Sequence, residues 1–281
     1  MKKIAWITDT AAQLDDAFIQ KHHVHILPLG VVFPDGLYRE SIDLTQATFY
    51  DKLHTTKVSP KTSQPPIGEM LALYETLQAK GYDFAIALHL SSGLSGTFES
   101  AQSACKMTDF TVYPFDSKIG SFPMGKMIEI GNDLFAEGKT VEEVLAFLTK
   151  ITTKSRLSFI PESLNQLHKS GRVSGTQTFL SNLLNIKLVI TFEDGTPVMK
   201  EKVRSTVRAK NKVMASLRAD MHKGSVPEVA VIHCNNQVSA EVWRDELAHE
   251  FPDLLIQVVA LSVCVGVHAG EGTTGLSWIA Y

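Results

Sequence analysis

The stretch that decides the fold is "DFAIALHLSSGLSGTFESA", Asp83 to Ala101. It opens with an unbroken apolar run, "FAIALHL", too short for a helix of ordinary length and flanked by turn formers. Such a run reads as a strand buried on both faces, the kind found in parallel sheets. A cluster of hydroxyls and glycines follows, and "GTFESAQSAC" then opens a helix. Strand, small-residue turn, helix is the repeating unit of α/β proteins.

Reading outward, the same alternation recurs. "KKIAWITDT" predicts a first buried strand, "LDDAFIQKH" a short helix and "HILPLGVVF" a second strand, closed by the turn Pro34–Gly36. Leu44 to Leu53 is weakly helical, and Thr55 to Pro66, rich in Ser, Thr and Pro, reads as a loop. "IGEMLALYETLQAKG" is a helix stopped by Gly81, and "FTVYPFDS" is a strand. Helices are expected over Met124–Glu137 and Thr140–Lys150. Farther on, "SLNQLHKSGRVS" reads as a short helix and a basic turn. "NIKLVITFEDGTPVMKEKVR" reads as a hairpin turning at Asp194-Gly195. A basic helix spans Thr206–His222, and "EVAVIHC", "SAEVWRDELAHEF" and "LLIQVVALS" give strand, helix and strand. "GVHAGEGTTG" is a Gly-rich loop before the last strand, "LSWIAY". A domain boundary is placed near residue 150.

Composition narrows the function classes. The chain has 281 residues, 44% of them hydrophobic, and a net charge of −3. No basic surplus points to nucleic acid or an anionic membrane. Cys105, Cys234 and Cys264 lie far apart with no CxxC pair, as suits a reduced, cytosolic compartment. The apolar residues after "MKK" are too few for a signal peptide, and no run reaches the ~18 residues of a membrane span.

Several motifs fail on inspection. Ser95 has Gly93 two residues before it but Thr97 two after, so the G-x-S-x-G nucleophile elbow is incomplete. "GSFPMGKM", Gly120 to Met127, approaches a phosphate loop but ends in Met127, which cannot ligate magnesium, and contains Pro123, which offers no N–H. "GEGTTG", Gly270 to Gly275, leaves no room for the helix and strand of a dinucleotide-binding unit. His22, His23 and His25 lack companion ligands at metal-binding spacing and read as a surface helix end.

What remains is the hydroxyl cluster Ser91, Ser92, Ser95 and Thr97 between strand and helix. Helix N-termini present free N–H groups and favour negative charge. The same residues also serve as ordinary helix caps, and both readings stand. Thr62 and Ser63 could add donors. His268, among glycines, sits where backbone can approach a ligand.

The stretches "ITDTAAQL", "PKTSQP", "SSGLSGTFESA", "FDS", "LHKSGRVSG", "LLNIKLVI" and "GVHAGEG", in this order, resemble the DegV family of fatty-acid-binding proteins, which includes the FakB subunits of bacterial fatty acid kinase. The departures are "TDTA" for T-D-S-T, Ser170 for Gly, and Ala269 and Glu271 in the histidine stretch. Glu271 adds a negative charge there.

The resemblance implies two α/β domains, a Rossmann-like parallel sheet in residues 1–150 and a mixed α/β domain in 151–281, with a long-chain fatty acid between them. It implies a carboxylate held by Thr62, Ser95 and His268, with Ser63 and Ser92 as further hydroxyls. Arg172 and Arg204 match basic positions near the head group or on a surface facing the kinase. A separate kinase subunit would phosphorylate the bound acid. This chain would then be a cytoplasmic, monomeric carrier with no metal, no cofactor beyond its lipid, and no catalytic residue of its own. The competing expectation is an acyl hydrolase with Ser95 as nucleophile and His268 as base.

Overall fold

The computed structural model describes residues 2–163, 166–167, 171–173 and 186–281. The chain begins with β1 (Ile4–Asp9), buried beyond its first residue. Asp15 caps α1 (Asp16–His22) by accepting the Ala17 N–H at 2.6 Å, and His23, at φ 50°, ends the helix. β2 (His25–Leu27) pairs parallel to β1. The sequence reading ran this strand on to Phe33. The structure divides it at Pro28, which has no N–H for a ladder, and the Leu29 N–H goes to Thr10 Oγ1 at 3.2 Å instead. β3 (Gly30–Phe33) thus enters a different sheet, turning at Pro34–Gly36 into β4 (Gly36–Arg39).

α2 (Gln46–Thr55) starts at a capping box between Thr45 and Thr48. The segment read wholly as loop contains β5 (Lys61–Ser63), which pairs antiparallel with β3. This third strand completes a small sheet of order β4-β3-β5. α3 (Ile67–Ala79) follows Pro66, and β6 (Phe84–His89) is buried at every position. α4 (Thr97–Cys105) and β7 (Val112–Asp116) complete a four-stranded parallel sheet of order β2-β1-β6-β7. Strand order reverses between β1 and β6, so their carboxyl ends frame the crevice where α/β sheets bind ligands.

α5 (Ser121–Ala136) begins three residues before the expected Met124. Pro123 is no obstacle there, because the first turn of a helix leaves its N–H groups unused. The near phosphate loop is therefore the buried start of this helix. α6 (Val141–Lys154) is opened by a Thr140–Glu143 capping box and passes through residue 150.

The second sheet starts directly after it. Its elements are β8 (Ser155–Ile160), β9 (Lys187–Glu193), β10 (Thr196–Val203), α7 (Thr206–Lys223), β11 (Glu228–His233), α8 (Gln237–Glu250), β12 (Leu255–Ala260), α9 (Val263–Ala269) and β13 (Thr274–Ile279). The strand order is β10-β9-β8-β13-β11-β12, and only β11 and β12 run parallel. The hairpin expected at Asp194-Gly195 is present, with φ of 45° and 79° at its two central residues. Half of "SLNQLHKSGRVS" lies outside the described residues.

One core joins the two sheets. Trp6, Leu88 and Phe122 from the parallel sheet and α5 share it with Leu157, Ile190 and Ile232 from the mixed sheet. Smaller cores lie under α3 and α4, and under α7 and α8. Among the described residues no helix is long and apolar enough to cross a membrane.

Candidate functional site

Asp9 ends β1 and His89 ends β6, and both are fully buried. Asp9 Oδ2 contacts His89 Nδ1 and accepts the Leu90 N–H, each at 3.0 Å, while Oδ1 accepts the Ala11 N–H at 3.0 Å. This clasp sets the direction in which the chain leaves β6 into "SSGLSG".

The hydroxyls of that loop have different tasks. Ser91 Oγ donates to the Gly195 carbonyl at 2.7 Å, locking the tip of the β9–β10 hairpin onto the loop. A Cβ on Gly93 would stand 2.7 Å from the same carbonyl, which is why glycine is needed there. Ser92 Oγ donates to Asp116 Oδ2 at 2.6 Å. Ser95 Oγ lies 2.8 Å from Thr97 Oγ1 and accepts the Thr97 N–H at 3.4 Å, so it also helps to start α4.

Above this loop is a cavity of about 430 Å³. Thr62, Ser63 and Gln64 close it from β5 and the residue after it. Ser92, Gly93, Ser95 and Gly96 form one side, and Leu29 and Leu90 add apolar wall. Arg172 also reaches it, while Cys264, Val265 and His268 line it from α9. His268 Nε2 and Thr62 Oγ1 are 2.8 Å apart. The other ring nitrogen, Nδ1, is buried and has no hydrogen-bond partner among the described residues. Burial, and then the nearby Arg172 charge, lower the His268 pKa to about 4, so the ring is neutral near pH 7.

Leu90, Leu94, Val265 and His268 also border a narrow slot of about 60 Å³. Leu157 and Phe159 of β8, Phe192 of β9, Pro197 of β10 and Leu261 continue its lining. The space thus changes from a mixed lining of hydroxyls, histidine and apolar side chains to an almost wholly apolar one as it passes between the sheets.

Six of the seven residues expected from sequence, Thr62, Ser63, Ser92, Ser95, Arg172 and His268, line the polar cavity. Arg204 does not; it is exposed just beyond β10. His268 is on α9, not in a glycine loop, because the glycine-rich part starts only at Gly270, which ends the helix at φ 91°. The ring bonds Thr62, whereas the Ser95 hydroxyl is engaged with Thr97, so the nucleophile–base pair of a hydrolase is not formed. Glu271 is occupied with His54 Nε2 and Asn235 Nδ2, both at 2.6 Å. Ser170 lies outside the described residues.

Sequence reasoning missed Gln64, Cys264 and Val265 in the lining. A helical reading of residues 263–269 would have found two of them, since positions three and four residues before His268 share its face. Burial raises the Cys264 thiol pKa, with Glu40 adding to the effect, and this keeps it protonated. Among the described residues no group of three His, Cys, Asp or Glu could hold a metal ion.

Comparison with known proteins agrees with this architecture. The family model described as "Uncharacterised protein, DegV family" matches residues 3–281. Protein DegV of Bacillus subtilis is 36% identical over 277 residues, covering 98% of each chain. The crystal structure of DegV, a fatty acid binding protein from Bacillus subtilis, superposes with a TM-score of 0.91 and full coverage of both chains. A fatty acid binding DegV family protein from Streptococcus agalactiae is 29% identical, with a TM-score of 0.93 and full coverage of both.

Proposed function

Because this chain belongs to the DegV family, we propose that it binds a long-chain fatty acid and presents the carboxyl group to a separate kinase. The observation that carries this reading is the change of character along one space, from a hydroxyl- and histidine-lined cavity to an apolar slot through shared walls. The relatives from Bacillus subtilis and Streptococcus agalactiae are described as fatty acid binding, which supports the same ligand class.

Each buried methylene contributes roughly 0.8 kcal/mol, so a chain of about 14 methylenes gains on the order of 10 kcal/mol before the costs of association. A hydrogen bond to a charged group nets about 1.5–3 kcal/mol. The apolar slot therefore supplies most of the affinity, and the polar end fixes orientation and spares the carboxylate an unpaired burial. Thr62, Ser63, Ser95 and His268 are the head-group donors in this reading. With its proton on Nε2, His268 donates to Thr62 and frees the threonine hydroxyl for the carboxylate. Ser92 braces the loop through Asp116. Arg172 borders the head group, and Arg204 belongs to the surface that meets the kinase.

In this reading residues 1–150 carry the hydroxyl loops and residues 151–281 complete the pocket. The chain acts as a cytoplasmic, monomeric carrier. The partner holds the nucleotide and transfers its terminal phosphoryl group to a carboxylate oxygen, giving an acyl phosphate. The stretch from Gly120 to Met127 supports this division of labour, since it is built into a buried helix start and not into an open phosphate loop.

Native mass spectrometry of the purified protein tests the reading. One fatty acid per chain is expected, lost on delipidation and restored by added palmitate. A delipidated, folded chain that takes up no fatty acid overturns it.

A further inference from the structure

Glu40 plays no part in the reading above, yet its carboxylate holds the start of the helix that carries His268. The residue directly follows β4 and is only 5% exposed. Thr10 Oγ1 and Ser262 Oγ each donate to its Oε2 at 2.7 Å, and the Val263 N–H donates to Oε1 at 2.6 Å. Among the described residues no cation is paired with it. Burial raises its pKa, and the donors from Ser262, Thr10 and Val263 draw it back. A carboxylate removed from water is costly unless donors surround it, so its presence here needs a reason.

The helix α9 supplies that reason. It has seven residues, too few to be stable by itself. Its N-cap residue, Ser262, makes no side-chain bond into the helix. That hydroxyl turns to Glu40 instead, and the Val263 N–H, one of the orphan donors of a helix start, goes to the same carboxylate. Glu40 thus does from another element what a cap residue ordinarily does from within the chain. Cys264, Val265 and His268, which line the cavity, all follow within the next turns.

The third donor ties in the opposite wall. Thr10 Oγ1 donates to Glu40 and accepts the Leu29 N–H, and Leu29 also lines the cavity. One carboxylate therefore references the exit of β1, the approach to β3 and the start of α9.

We infer that Glu40 is a positioning residue that sets where His268 stands against Thr62. The inference rests on the carboxylate-binding reading for its functional consequence, while Glu40 itself touches no ligand. Glu40→Gln keeps the shape but replaces one oxygen with an NH₂ group. If the amide oxygen keeps the Val263 N–H, the Thr10 and Ser262 hydroxyls must turn round to accept from the NH₂ group, and the three charge-assisted bonds to the carboxylate are lost.

The test compares His268 imidazole NMR signals and palmitate affinity in delipidated wild type, Glu40→Gln, Ser262→Ala and Leu217→Ala. Leu217 is buried on α7 in a separate core, and its variant controls for simple loss of stability. Glu40→Gln is expected to shift the His268 resonances and weaken palmitate binding roughly tenfold. Ser262→Ala should do the same to a smaller degree, and Leu217→Ala should lower Tm with neither change. Unaltered His268 signals, or unaltered palmitate affinity, in folded Glu40→Gln overturn the inference. If that variant does not fold, Ser262→Ala decides by the same two measurements. The NMR measurement needs no ligand. A wild type that binds no palmitate therefore sinks the fatty acid reading, while the His268 signals alone still judge Glu40.

Discussion

Thr62 and His268 are 206 residues apart in the chain and 2.8 Å apart in space, between Oγ1 and Nε2. One belongs to a three-residue strand and the other to a seven-residue helix, and neither element is stable alone. Their contact is where the two halves of the cavity are brought into register.

Replacing the threonine with a residue of similar shape isolates that hydroxyl. Thr62→Val should weaken fatty acid binding about 10- to 100-fold, the loss of one hydrogen bond to a charged group. Tm should also fall, because the buried His268 Nε2 loses its partner at a cost of about 1–3 kcal/mol. Isothermal titration of delipidated protein with palmitate checks it, and wild-type affinity would remove Thr62 from the head-group site.

The lowered His268 pKa makes stability depend on pH. The folded protein holds the ring neutral down to about pH 4, whereas the unfolded chain takes up the proton near 6.5. The unfolded state therefore binds more protons as pH falls through this window, and the ligand-free protein loses up to about 3 kcal/mol between pH 6.5 and 4. Half-buried His25 and buried His233, also lowered, act in the same direction. Urea unfolding of wild type and His268→Gln over this range should show a shallower slope for the variant.

The slot between the sheets should select chain length. Leu157 lines the slot but not the polar cavity. Leu157→Phe adds volume there at a cost of about 1–3 kcal/mol in stability. Lipids extracted from the variant should be shorter than those from wild type by mass spectrometry. An unchanged lipid profile would place the acyl chain elsewhere.

The Ser91 hydroxyl anchors the β9–β10 hairpin through the Gly195 carbonyl. Ser91→Ala should lower stability by about 1–3 kcal/mol, because it leaves a buried acceptor without its donor. Hydrogen exchange should rise around Asp194 and Gly195 more than in α7. Uniform loss of protection would show that the anchor is not local.

Ser95 and His268 should fail as a catalytic pair. A fluorophosphonate probe should leave Ser95 unlabelled, since its oxygen is engaged with Thr97 and the imidazole with Thr62. Covalent labelling of Ser95 would revive the hydrolase.

Much of the parallel half is legible in the sequence, because each strand is a compact apolar run followed by turn formers and a helix. Lys61–Ser63 is different. Nothing apolar marks it as a strand, and it becomes one only by pairing with β3. The helix around His268 was hidden in the same way, since seven residues of small and apolar type show no amphipathic period. Clustered hydroxyls at a strand end did mark a loop that lines the cavity. Glu40 did not, because a single glutamate after a strand looks like any solvated charge until distant donors are seen to converge on it.

The position of β13 between β8 and β11 has a consequence for how the molecule is made. During synthesis the parallel sheet is complete once Asp116 has emerged, and β8 to β10 can pair among themselves, as can β11 with β12. These remain two separate pieces with bare edges until residues 274–279 arrive to join them. Until then the chain carries a finished first half beside an open second sheet, and bare strand edges of this kind invite wrong pairing. β13 follows closely on His268 in the chain, so the cavity beside His268 is completed only as the mixed sheet becomes whole.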